Sequence, residues 1–222
     1  MAFTVHAVMP GVWHIVDCMG VCMTLLEGEN AAMLVDTGYG IEDVADFMRH
    51  MTDLPLTVFL THNHHDHAMG ARCFPETYML EADMADWRMF TDDKMRRRVL
   101  TQAIGKNLTV DEKTFLAGEI PLPKVMKPGV IDLGGLTAEI IEAPGHTPGS
   151  AVVYVPERKL LLSGDDWNPC TWLFFPQALG LREYRSNMRG IQQLPFEKVL
   201  CPHRTGAMNP VSYTHLRAHE TE

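Results

Sequence analysis

Basic residues are scarce in this chain: 19 Lys and Arg stand against 28 Asp and Glu, a formal net charge of −9. The one concentration of positive charge is the triplet Arg96, Arg97 and Arg98, which reads as the solvated face of a helix. A chain with no basic track is a poor match for nucleic acid, so that partner class is not expected. No apolar run reaches the ~20 residues of a membrane-spanning helix, so no membrane partner is expected either. Residues 1–20 carry no Lys or Arg ahead of their apolar residues, unlike the start of a secretory signal. The five cysteines, Cys18, Cys22, Cys73, Cys170 and Cys201, follow no repeated spacing. They point away from a disulfide scaffold and toward a reducing compartment, the cytoplasm by default. Cys18 and Cys22 could be half of a zinc knuckle, but no second half follows, and buried free thiols are the expected reading. Internal repeats and low-complexity segments are absent.

Histidine, by contrast, is concentrated. After a short apolar strand over 56–60 the chain reads Thr61, His62, Asn63, His64, His65, Asp66, His67. In an extended backbone His62 and His64 face one side, as two imidazoles on one ion require, and His67 points away. A short helix begun at Asp66, a good N-cap type, would swing His67 back. The run thus offers two ligands for one metal and two for a second, with Asn63 and His65 as spacers.

This run resembles the His-x-His-x-Asp-His signature of the metallo-β-lactamase superfamily, and further segments match the family in order. Residues 143–150 (APGHTPGS) match its third motif, 162–166 (LSGDD) its fourth, 201–203 (CPH) its fifth, and 34–38 (LVDTG) its early strand and turn. The resemblance covers about residues 3–206 and implies an α/β fold, the four-layer αββα sandwich. It also implies a dinuclear centre in which His62, His64 and His146 hold one metal and Asp66, His67 and His203 the other. Asp165 and a hydroxide would lie between them, and Asp36 would orient a liganding histidine or its loop. Five imidazoles and two carboxylates favour two zinc ions, with iron or manganese as alternatives.

Fold does not fix substrate. Ions about 3.5–4 Å apart can bring a bridging water near pKa 7, so the expected activity is hydrolysis of an ester, thioester, lactone or amide of a small molecule. Asp66 and Asp165 are the expected catalytic residues, Asp66 by steering a proton. The antibiotic-hydrolysing enzymes with a cysteine ligand have cysteine where this chain has Asp165, so β-lactamase activity is not the leading expectation. The motifs also resemble glyoxalase II, but that family holds glutathione with a further C-terminal helical domain, and only 19 residues follow His203. The other readings are a mononuclear iron enzyme resembling persulfide (sulfur) dioxygenases and a metal-bearing interaction protein without catalysis. Oligomeric state is not legible.

Strands are expected over 12–17, 21–27 and 31–35, a helix after Gly40, and strands again over 136–141, 151–155 and 159–163. The last two form a hairpin about Pro156 and Glu157, followed by a helix over 182–194 and a strand over 198–201. One domain over 1–210 is expected, with a helical cap segment at about 78–128 that is helical around 81–104. The methionines there read as core, or as a flexible wall over substrate. Trp167, Trp172, Phe174 and Phe175 follow Asp165 and either enclose an apolar part of the substrate or pack beneath their loop. Residues 211–222 (VSYTHLRAHETE) resemble a translated sequencing-adapter tail and are expected to be an artefact, the other reading being a terminal helix. His215 and His219 are accordingly not taken as ligands.

Overall fold

Two kinds of strand appear in the sequence, and their burial explains the difference. Ala32, Met33, Leu34 and Val35, or Ala151 to Val155, show no apolar/polar alternation because both faces of those strands are covered. The computed structural model describes residues 3–167 and 171–209, and β1 (Thr4–Met9), β2 (Val12–Val16), β3 (Cys22–Glu27) and β4 (Ala32–Val35) form an antiparallel meander. Helix α1 (Val44–Met51) crosses over to β5 (Leu56–Phe59), which pairs parallel with β4. Asp43 caps α1 by accepting the Asp46 N–H. After α2 (His65–Ala68) come β6 (Tyr78–Met79), α3 (Trp87–Thr91), α4 (Asp93–Gly105), α5 (Glu112–Phe115) and β7 (Lys124–Val125). The first sheet runs in order from β1 to β7.

The second sheet holds β8 (Gly129–Asp132), β9 (Thr137–Glu142), β10 (Ala151–Val155), β11 (Leu160–Leu162) and β12 (Lys198–Leu200), in the order β12-β11-β10-β9-β8. Helix α6 (Leu181–Ile191) lies between β11 and β12 in sequence. Along each strand, alternate residues go to different cores. Met33, Val35, Val153, Val155, Leu160 and Leu162 pack together between the two sheets. Leu34 and Ala32 face Val44 and Met48 of α1, whereas Val152, Tyr154 and Leu161 face Tyr184, Met188 and Ile191 of α6. The result is helix, sheet, sheet, helix: the four-layer αββα sandwich. No helix among the described residues is long and apolar enough to cross a membrane.

Several expectations require correction. The helix expected over 81–104 is a 3-10 turn at Glu81–Asp83 and two helices, because Asp92 is extended (φ −68°, ψ 169°) and its carboxylate caps Met95. The N-cap of α2 falls two residues before the expected Asp66, at His64 and with no side-chain capping bond, so Asp66 sits inside the first turn. Strands β1, β6, β7 and β8 were not expected: two are only two residues long, and β1 and β8 show mostly exposed or half-exposed side chains. Arg96 of the supposed solvated triplet is only 3% exposed and donates to the Phe115, Ala117 and Gly118 carbonyls, tying α4 to α5. The four described cysteines are all free. Cys170 and the tail at 211–222 lie outside the described residues.

Candidate metal centre

Strands β4, β5, β9, β11 and β12 all end on the same side of the sandwich, and the chain leaving each one carries a polar residue into a common point. Beyond β5 the chain bends at Thr61 and His62 instead of staying extended, His64 (φ −64°, ψ 146°) brings its ring beside that of His62, and α2 then turns His67 back toward them. The ring centroids of His62 lie 4.7 Å from His64 and 4.1 Å from His67. The β9–β10 loop supplies His146, β11 leads to Asp165 and β12 to His203. Three overlapping groups have their ligand atoms within 4.8 Å of one another: His62, His64 and His146; His62, His67 and Asp165; Asp66, His67 and His203.

The outward nitrogens of these rings are engaged, and this fixes what points inward. His146 Nδ1 donates to the Trp172 carbonyl at 2.7 Å, so its Nε2 carries a bare lone pair, 2.8 Å from His64 Nδ1. His67 Nδ1 donates to Asp36 Oδ2 at 2.9 Å, leaving Nε2 to face Asp165 Oδ1 at 3.4 Å. His62 Nδ1 lies 3.1 Å from Thr61 Oγ1, and its buried Nε2 has no hydrogen-bond partner among the described residues. Inward lone pairs converging beside ionised carboxylates are a donor set that fits divalent cations of the zinc type.

The electrostatics agree with that fit. Burial, with neighbouring imidazoles, holds His62 well below its ordinary value and brings His64 to about 3, so both are neutral donors. Burial would also lower His67, but the carboxylates of Asp165, Asp36 and Asp66 outweigh it and raise that imidazole well above its usual range. Against the cost of burial, His67 and His203 keep Asp165 well below the ordinary carboxylate value. A cluster of carboxylates that draws a proton onto His67 is one that a cation would satisfy.

Residues the sequence did not single out hold the loops. Asp83, 1% exposed, accepts the Asn63 and Gly149 backbone N–H groups and the Thr147 hydroxyl, joining the His62–His64 stretch to the His146 loop. A Cβ on Gly149 would stand 2.6 Å from the Asp83 nitrogen, so this close approach needs glycine. Asn63 is therefore no mere spacer: its side chain also donates to the Asp83 carbonyl. Asp166 Oδ1 accepts the His146 N–H, and burial pushes its carboxyl up to about 8. Gln177 reaches His64 Nε2 at 3.3 Å. Asp36, in the left-handed region at φ 65°, accepts the Thr61 N–H and hydroxyl as well as His67. Asp83 and Gln177 carry no local motif, whereas Asn63, Gly149, Asp166 and Asp36 fall within segments read from the sequence without these roles being visible there, except for Asp36.

A cavity of about 720 Å³ opens over His64, Asp66, His146, Asp165 and His203. Trp172 and Phe175 line it, and Phe175 packs against His64 at 4.9 Å between ring centroids. Trp167 is not among its lining residues: it is 4% exposed and packs with Tyr184 and Met188, an apolar ring drawn into the core beneath α6. Phe174, 72% exposed, does not line it either and stacks outward on Trp172 and Phe175. His65, expected as a spacer, lines the cavity with Tyr39 edge-on to its ring.

Comparison with known proteins agrees with this architecture. The metallo-beta-lactamase from Pontibacter korlensis superposes with a TM-score of 0.69 at 17% identity, covering 98% of both chains. The acyl-coenzyme A thioesterase MBLAC2 of Gallus gallus is 26% identical over 168 residues, 67% of this chain and 59% of that one. The linear primary-alkylsulfatase of Pseudomonas sp. (strain ATCC 19151) is 23% identical over 173 residues, 64% of this chain and 32% of that one. The chain thus spans between a third and three fifths of the length of these curated relatives. The family model of the metallo-beta-lactamase superfamily matches residues 16–203, and the chain belongs to that superfamily of hydrolases.

Proposed function

We propose that this chain is a dinuclear hydrolase of small carbonyl compounds, with thioesters and esters foremost and lactones and amides in the same class. The observation that carries the reading is the position of Asp165. Its Oδ2 lies 3.5 Å from His146 Nε2 and its Oδ1 3.4 Å from His67 Nε2, so one carboxylate faces both ligand groups. On this reading His62, His64 and His146 hold one ion and Asp66, His67 and His203 the other, with Asp165 shared. Zinc suits the donors best, with iron or manganese as alternatives. Two such ions, held there, would supply a water that ionises near neutral pH and a Lewis acid for the carbonyl oxygen.

The remaining work belongs to the chain. Asp66, half-buried at the cavity wall, would accept and return a proton. Phe90, Trp172 and Phe175 keep water from the acyl portion, and the segment at about 78–128 acts as a cap through α4. Support for thioesters comes from the relative that carries that name, and support for a small-molecule substrate from the cavity's size. The free cysteines suit a reducing compartment such as the cytoplasm.

The test is a panel of esters, thioesters, lactones and phosphodiesters run on zinc-loaded protein beside a metal-free control. Turnover of a carbonyl substrate by the loaded protein alone is expected. One bound iron with oxygen uptake would replace this reading with a dioxygenase, and no turnover at full metal loading would indicate a non-catalytic role.

A further inference from the structure

The three arginines of the 96–98 triplet have separate fates. Arg96 is buried against the carbonyls of the loop after α5, and Arg97 pairs with Asp93 at 2.8 Å. Arg98 is exposed, makes no ion pair among the described residues and lines the cavity over the metal centre. It does so because Met95, Arg98 and Gln102, spaced three and four apart, form one face of α4, and all three line the cavity. Lys106 at the end of α4 donates to the Met19 carbonyl at 2.9 Å, holding this helix to the loop on another side of the opening.

Arg204 lies on another part of the rim. Its carbonyl accepts from His14 Nε2 at 2.9 Å, which fixes the backbone, while its side chain is exposed, lines the same cavity and makes no ion pair among the described residues. The carboxylates lining this cavity are those of Asp66 and Asp165, both within the ligand cluster. In a chain of net charge −9, the charged cavity residues outside the cluster are thus two uncommitted guanidiniums. Phe90, Met95, Trp172 and Phe175 supply apolar walls to the same cavity, with Phe90 and Phe175 packed on the His64 ring.

We infer that the substrate is an amphipathic anion, with a carboxylate or phosphate held at the rim by Arg98 and Arg204 and an apolar body packed on Phe90, Met95, Trp172 and Phe175. This deepens the hydrolase reading and rests on it. A planar guanidinium suits either oxyanion in a two-bond contact, so the inference concerns the anionic group and its place in the cavity.

The test uses two matched pairs on the zinc-loaded protein. Mono-4-nitrophenyl adipate against 4-nitrophenyl hexanoate places the anion on the acyl side. The butyryl thioester of 3-mercaptopropionate against that of 1-propanethiol places it on the leaving side. In at least one pair kcat/KM should favour the anion by about fivefold or more, as two exposed charge contacts allow. The ratio should fall toward 1 in Arg98→Ala with Arg204→Ala, and should shrink as salt is raised. The double variant should retain wild-type metal content and circular dichroism.

Calorimetry with 4-phenylbutyrate against 4-phenylbutan-1-ol reads the same site without turnover. Tighter binding of the anion that is lost in the double variant supports the assignment even if no member of the two pairs is hydrolysed, an outcome that would count against the hydrolase reading alone. Equal preference for neutral and anionic probes in both assays, or a preference that survives loss of both arginines, overturns the anion site.

Discussion

His14 Nε2 donates to the carbonyl of Arg204 at 2.9 Å across 190 positions of sequence, and this bond ties the second strand to the loop that carries His203. Thr24 Oγ1 lies 2.9 Å from the other ring nitrogen, and the Cys22 N–H donates to the Pro202 carbonyl at 2.7 Å, so the β2–β3 hairpin grips residues 202–204 at two points. His14→Ala should loosen that loop and weaken metal binding at the Asp66, His67 and His203 group by about ten- to a hundredfold. His14→Gln, which can still donate, should recover most of it. Chelator competition with metal analysis measures both.

The same residue gives a pH dependence. Burial lowers the His14 imidazole below its ordinary value, despite the Arg204 carbonyl, so the folded chain holds it neutral. Above the unfolded value of about 6.5 both states are neutral, and the contribution to stability is complete. As pH falls below about 6.5 the unfolded chain takes up the proton first, and stability is lost until the folded group titrates. Urea midpoints of wild type and His14→Gln from pH 8 to 5 should therefore converge as pH falls; a constant gap would show that His14 does not titrate between the states.

Asp83 holds two ligand loops at once through Asn63, Thr147 and Gly149. Asp83→Ala leaves the buried Asn63 and Gly149 N–H groups without a partner, while the Thr147 hydroxyl keeps Ser150 Oγ at 2.8 Å, and should cost about 3 kcal/mol in stability, with a matching fall in metal affinity at His62, His64 and His146. Asp83→Asn preserves volume but places an amide donor against at least one N–H, so it should rescue only part. Denaturant midpoints and metal titration report the two effects separately.

How much of this was legible follows from where each signal lies. Strands buried on both faces, such as β4 and β10, give unbroken apolar runs, and the ligand motifs sit at their ends. The density of ligand types from His62 to His67 stands out in the residues themselves, whereas His146, Asp165 and His203 became candidates only through the resemblance to the family's later motifs. Asp83 could not be read, because its role depends on a 3-10 turn brought beside Gly149 from 66 positions away. Trp167 and Phe174 were equally opaque: four aromatic residues follow Asp165 within ten positions, and only packing against α6 decides which ring enters the core. The same holds for Arg96, whose burial depends on the loop after α5 rather than on its neighbours in sequence.

Asp36 joins three groups in one carboxylate, accepting from the Thr61 N–H, the Thr61 hydroxyl and His67 Nδ1. Asp36→Ala should free the His67 ring and lower stability by about 2–3 kcal/mol, since buried donors lose a charged acceptor. Metal stoichiometry near one per chain, with the His62, His64 and His146 group still loaded, is the expected signature.

Phe175 packs against both His64 and His146, at 4.9 and 5.7 Å between centroids. Phe175→Ala should raise KM for longer acyl chains more than for acetyl substrates, by about tenfold for a six-carbon chain, as loss of a buried ring contact implies. A uniform effect across chain lengths would place the acyl group elsewhere.

The most direct test of the central claim is a titration of metal-free protein with zinc, following thioester hydrolysis and bound metal in the same samples. The account predicts turnover that rises to a plateau at two zinc ions per chain, and a plateau near one with activity lost in Asp165→Ala. Full turnover at a single zinc, or undiminished metal content and rate in Asp165→Ala, would contradict it.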